Sequence, residues 1–92
     1  MSRVLHRVQL PEPGTAKEYI LTYGFVTRHV GYQKSQPMLW FEAVVEEQRC
    51  SKIEVICVGT GWPIQDNYWY VGTLPELTKP FVWHYYAKYI ND

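Results

Sequence analysis

The side chains with most chemical potential are crowded into one stretch: Gly59-Thr60-Gly61-Trp62, then Asp66, Trp69, Tyr70 and Thr73. A Gly-Thr-Gly run can present backbone N–H groups and a hydroxyl to an anion. Trp62, Trp69 and Tyr70 can stack on a flat ring such as a nucleobase. Asp66 or Asn67 can bond the edge of that ring or a ribose hydroxyl. Arg28-His29 and the Arg3/Arg7 face, the two basic spots beside aromatic strands, can meet a phosphate, and His84 completes the expected binding set. Together these groups suit a small, phosphate-bearing, nucleotide-like ligand. Each also has a plainer reading. The glycines can serve a turn at positive φ, with Thr60 bonded to its own backbone. The aromatics can pin a loop to the domain, Asp66-Asn67 can be a tight turn, and the arginines can be solvated strand surface.

The surrounding residues narrow the chemistry. No Gly-Lys-Ser/Thr ending follows Gly61 and no helix is expected after it, so this is not a P-loop; nor is it a dinucleotide fingerprint. His6, His29 and His84 fall on three different expected strands, and no spacing among them suggests a metal site. Cys50 and Cys57 are seven apart and match no zinc or redox spacing. On one strand an odd separation sends them to opposite faces, so free thiols are expected. Cys57 falls on a core face and reads as inert. Glu42, Glu46 and Glu54 fall in one expected hairpin, where a solvated face explains them. Binding without catalysis is therefore expected, with no metal and no cofactor; an unrecognised hydrolase is the weakest alternative.

Composition bounds the partners. Nine Lys and Arg balance nine Asp and Glu, which removes the basic footprint of a nucleic-acid binder. No apolar run approaches the roughly 20 residues of a membrane span, and the N-terminus has no apolar signal region. A cytoplasmic protein without a membrane partner is expected. Four Trp, eight Tyr and three Phe make 16% of the 92 residues aromatic. Such side chains fill cores, and they also enrich interfaces.

The elements that must position these groups read as strands. Val4, His6, Val8 and Leu10 share one face of a first strand, ended by Pro11-Glu12-Pro13-Gly14. Residues 15–23 are strand-like in Tyr19 to Tyr23, although Thr15 and Glu18 form a capping-box pattern that leaves a short helix open. Gly24 is a bend before a strand at 25–32, and 33–37 is a turn. Leu39, Phe41, Ala43 and Val45 line one face of the clearest strand. Ile53, Val55 and Cys57 line one face of the next, and the two strands read as an antiparallel hairpin. Residues 59–73 are expected to be mostly a long ordered loop, followed by strands at 68–74 and 81–89. One domain, residues 1–92, is expected: an all-β sandwich or barrel of six to seven short, mostly antiparallel strands, with the possible exception of a helix at 15–23.

The order Leu10-Pro11, Leu39-Trp40, Gly59 to Ile64 (Gly-Thr-Gly-x-Pro-Ile), Tyr70 to Thr73 (Tyr-Val-Gly-Thr) and Val82-Trp83-His84 resembles a small domain of tailed bacteriophages and prophages. The resemblance covers most of the chain. It implies a phage setting, hence a host cytoplasm, and an all-β fold, and it brings no activity. Members commonly carry histidine where this chain has Trp62. In that setting the expected function is a host-defence inhibitor that sequesters a nucleotide-like signal. The alternative is a protein–protein module, an inhibitor or assembly factor, that meets a host protein with its aromatic surface. Apolar side chains on both faces of several strands, such as Trp40 with Val44 and Ile56 with Val58, imply a homo-oligomer.

Overall fold

The computed structural model describes residues 1–90 and contains seven strands. They are β1 (Arg3–Gln9), β2 (Ala16–Thr22), β3 (Val26–Gln33), β4 (Gln36–Val44), β5 (Cys50–Gly59), β6 (Trp69–Pro75) and β7 (Val82–Tyr89). Two antiparallel sheets form a sandwich, β1-β4-β3 against β2-β5-β7-β6. The all-β expectation is met with seven strands.

Local sequence explains the turns. Pro13-Gly14 occupies the centre of a turn closed by Thr15 N–H donating to Glu12 O at 3.0 Å, with Gly14 at φ +77°. Gly24, at φ +79°, carries the chain from one sheet to the other through a turn closed by Phe25 N–H on Thr22 O. Lys34 and Ser35, at φ 51° and 66°, make the two-residue β3–β4 hairpin. Both central residues with φ > 0 give the primed turn whose twist matches the strands.

The core lies between the sheets. Leu39, Phe41 and Ala43 project from β4, and Ile53, Val55 and Cys57 from β5, each at most 5% exposed. Tyr19 and Leu21 of β2, Leu74 of β6, and Tyr85 and Ala87 of β7 complete the facing layer. Fully burying a side chain such as Leu39 or Ile53 contributes about 1.5–3 kcal/mol. One flank of the sandwich is closed where Val30 of β3 fits over Gly72 of β6, and Tyr32 Oη donates to Pro75 O at 2.5 Å. On the other flank Tyr19 Oη donates to Gln9 O.

Residues 16–22 form the strand read there, and the helix left open at 15–23 does not form: pairing with β5 satisfies the backbone and puts Tyr19 and Leu21 into the core. Two expectations are corrected. Val45 follows the end of β4 and is 58% exposed, because the facing sheet no longer covers it. The strands β4 and β5 are not a hairpin; they belong to different sheets, and residues 45–49 cross between them. Glu42 and Glu54 therefore lie on opposite sides of the sandwich. Both cysteines are free, Cys50 exposed and Cys57 buried.

Two predictions follow from the packing. A Cβ at Gly72 would come within 2.4 Å of Val30 Cγ2. Gly72→Ala is expected to lower stability by about 2 kcal/mol through overpacking, less so in a Val30→Ala background; urea unfolding of the four proteins measures this. Burial raises the Tyr19, Tyr32 and Tyr85 hydroxyls, and burial with the Tyr68–Glu54 hydrogen bond pushes Tyr68 up to about 12. Their raised values contribute stability that is complete below the ordinary tyrosine value of about 10 and lost as pH rises through the folded values. Absorbance at 295 nm and circular dichroism are expected to show these four tyrosines titrating together with unfolding, above the ordinary tyrosine value.

Candidate ligand-binding site

The site is built by the register of β5, β7 and β6. Gly59 pairs with Trp83, which pairs with Leu74; Val58 pairs with His84, which pairs with Thr73. Side chains alternate along a strand. Trp83 therefore faces inward, and His84 and Thr73 face outward.

After Gly59 the chain turns sharply. Trp62 N–H donates to Gly59 O at 3.2 Å, and Gly61, at φ +88°, takes the position of that turn that requires a left-handed backbone. Gly59 serves a different need. A Cβ there would come within 2.9 Å of the Trp62 indole, so the ring lies directly against this backbone. Trp62 meets Trp83 edge to face, with centroids 5.9 Å apart and planes at 77°, and Phe81 stands 6.3 Å from Trp83. Gly59, Thr60 and Trp62 from one side, and Pro80, Phe81, Val82 and Trp83 from the other, line a cavity of about 380 Å³. Trp62 is 48% exposed and Phe81 53%, so the cavity is open at its rim.

Beside it a hydrogen-bonded chain runs along the outer face of the sheet. Thr60 Oγ1 lies 2.8 Å from His84 Nε2, and His84 Nδ1 lies 3.0 Å from Thr73 Oγ1. Thr73 in turn bonds Tyr70, whose ring meets Tyr86 at 5.5 Å. The neutral form of an imidazole has one N–H and one lone pair, so in that form His84 donates to one threonine and accepts from the other. The Thr60–His84 contact has the reach of a nucleophile and its base. The group behind the histidine, however, is a hydroxyl rather than a carboxylate, and a hydroxyl does not supply the charge that supports an imidazolium. What the chain does well is fix Thr60 at the cavity rim.

The expected binding residues thus fall into four groups: those lining the cavity, those holding Thr60, the turn glycine, and those placed elsewhere. Gly59, Thr60 and Trp62 line the cavity, and Thr73, Tyr70 and His84 hold Thr60 from the outer face. Gly61 supplies the turn between them. Asp66 is exposed in a turn closed by Tyr68 N–H on Gln65 O. Trp69 points inward against Tyr89, 4.9 Å between centroids. It pairs with Ala87, four residues along β7 from Trp83 and hence about 13 Å away. Trp62, Trp69 and Tyr70 therefore face three directions and form no common stacking platform. Arg28 is at the bulge of β3 in the other sheet, 3.0 Å from Glu42. Its hydrogen bond, with that of Arg3, holds the Glu42 carboxyl below its usual value. No Lys or Arg lines the cavity among the described residues.

Four of the seven lining residues, Pro80, Phe81, Val82 and Trp83, are not among the expected binding residues. Phe81 and Trp83 are read from sequence as one face of the last strand, and Pro80 as loop. Only the pairing of β7 with β5 places them opposite Gly59 and Trp62.

A family model described as a domain of unknown function (DUF7352) matches residues 1–91, and the chain belongs to this family. No curated protein and no solved structure matches it.

The hydrogen-bonded chain gives a prediction. Thr60→Val and Thr73→Val are each expected to lower stability by about 1 kcal/mol, the net worth of a typical hydrogen bond. Because both act through His84, the double variant is expected to lose less than the sum. Urea unfolding gives the energies, and the His84 ring nitrogen shifts report the lost contacts.

Proposed function

We propose that this DUF7352 protein acts by binding rather than by catalysis, and that its ligand lays a flat ring into the cavity of Trp62, Phe81 and Trp83. The carrying observation is that cavity, about 380 Å³, walled by three aromatic rings and edged by a fixed threonine hydroxyl. Ligand pockets are concave, mostly apolar and few in polar groups, and this volume falls at the small end of their range. In the sharper form of the reading the protein is phage-encoded and works in the host cytoplasm. There it withdraws a nucleotide-like defence signal, with the base against the aromatics and a sugar or phosphate oxygen at Thr60. With Arg28 in the other sheet, the ring rather than the phosphate carries the affinity. Exposed apolar side chains on the outer face, Ile20 at 72% and Tyr70 at 55%, support self-association.

A second reading has its own observation. Trp62, Phe81 and Val82 at the rim are 48%, 53% and 40% exposed. Such a rim also suits a proline or aromatic side chain of a host protein, because aromatic-lined grooves hold extended proline-rich segments.

The readings separate by thermal stability across a panel of nucleosides and nucleotides, with Trp62→Ala alongside. Ligand at about 100 times its Kd adds about 2.7 kcal/mol to the folded state. The first reading expects such a rise in Tm for a member of the panel and its loss in Trp62→Ala. A flat panel, with a host protein captured by the wild type and released by Trp62→Ala, would decide for the second. A flat panel with no such capture would sink both.

A further inference from the structure

A second cavity, of about 310 Å³, opens between the two sheets on the other side of the β6–β7 connection. Three aromatic side chains line it, Tyr32 from β3 and Trp83 and Tyr85 from β7, with Glu12 from the β1–β2 turn and Glu76 from the connection after β6. Among the described residues, its only charged lining groups are these two carboxylates. Neither forms an ion pair with a Lys or Arg among the described residues.

The carboxylate of Glu76 is oriented rather than loose. Its Oε2 accepts the Trp83 indole N–H at 2.5 Å, and its backbone N–H donates to Phe81 O at 2.7 Å. Its charge is felt around the cavity. Together with burial it raises the Tyr32 hydroxyl, and it adds to burial and to Cys57 in raising Tyr85. A fixed negative charge beside aromatic faces favours one kind of guest. The faces of Trp and Tyr rings attract cations through their quadrupoles, and a carboxylate completes the pairing.

We propose that this cleft, formed by Glu12, Tyr32, Glu76, Trp83 and Tyr85, binds an organic cation, a protonated amine or a guanidinium. The guest's charged head pairs with Glu76, and its alkyl stem lies along Tyr32 and Trp83, the two partly exposed rings; Tyr85 forms the buried floor. Glu12, on the exposed turn at the mouth, adds a second charge. The source is either a free small amine or a Lys or Arg side chain of a partner. The proposal does not rest on the ring-binding reading. Neither Glu12 nor Glu76 lines the first cavity, so the two can fail separately.

The test is a titration followed by the Trp83 indole N–H resonance, with butylammonium and butylguanidinium as probes and butanol and butylurea as neutral counterparts. The cations are expected to shift that resonance saturably and the neutral probes to leave it in place. Glu12→Gln keeps the reporter bond and is expected to weaken binding several-fold. Glu76→Gln retains an acceptor for Trp83 and is expected to weaken it at least tenfold, with amide spectra confirming the fold. A capped arginine peptide that binds more tightly than butylguanidinium marks a protein side chain as the source; one that binds no better marks a small amine. Equal shifts with the neutral probes, or full affinity in both glutamine variants, would overturn the proposal.

Discussion

The antiparallel register between β5 and β7 is the constraint from which the site follows. It pairs Gly59 with Trp83 and Val58 with His84. A slip of one residue would exchange the faces of β7, carrying His84 into the core and Trp83 to solvent. The register is held because its inward set is apolar: Val55 faces Ala87, and Cys57 faces Tyr85, all at most 2% exposed. The same alternation that buries the core therefore aims Trp83 at Trp62 and His84 at Thr60. Stability and site geometry share one cause.

Aromatic side chains do different work at different depths. Tyr19 and Tyr85 are core residues that end in hydroxyls, and each keeps its polar end satisfied from within the protein. Trp69 with Tyr89 and Phe25 covers one end of the sandwich. Trp62 with Trp83 and Phe81 makes the other end, where the rings remain partly open. A high aromatic content is thus neither all core nor all interface. Burial and register divide it.

Charge shows a similar division beneath the zero sum. Arg3 and Arg28 of the first sheet are engaged at Glu42, while Glu12 and Glu76 border the cleft at one end of the sandwich. Net charge argues about the whole surface and its long-range attraction. It does not describe a cavity, which here is lined by two carboxylates and by no Lys or Arg among the described residues.

By itself the sequence determined the strands, because period-two alternation of apolar residues states which face is buried. Leu39-Phe41-Ala43 and Ile53-Val55-Cys57 are core as their spacing requires. It also determined the turn at Gly61 and the free cysteines. Tertiary structure alone decided which sheet each strand joins. The crossing from β4 to β5 looks like a hairpin in sequence, since a short polar connection suits either outcome. Tertiary structure also decided which parts of the Gly59–Thr73 stretch act together. Trp62, Trp69 and Tyr70 are close in the chain, yet Trp62 lies in the turn after β5 and alternation along β6 sends Trp69 inward and Tyr70 outward. Trp83, twenty-one positions beyond Trp62, becomes its partner because pairing with β5 brings it there. Contacts between distant residues depend on sheet order and register, which no local pattern encodes.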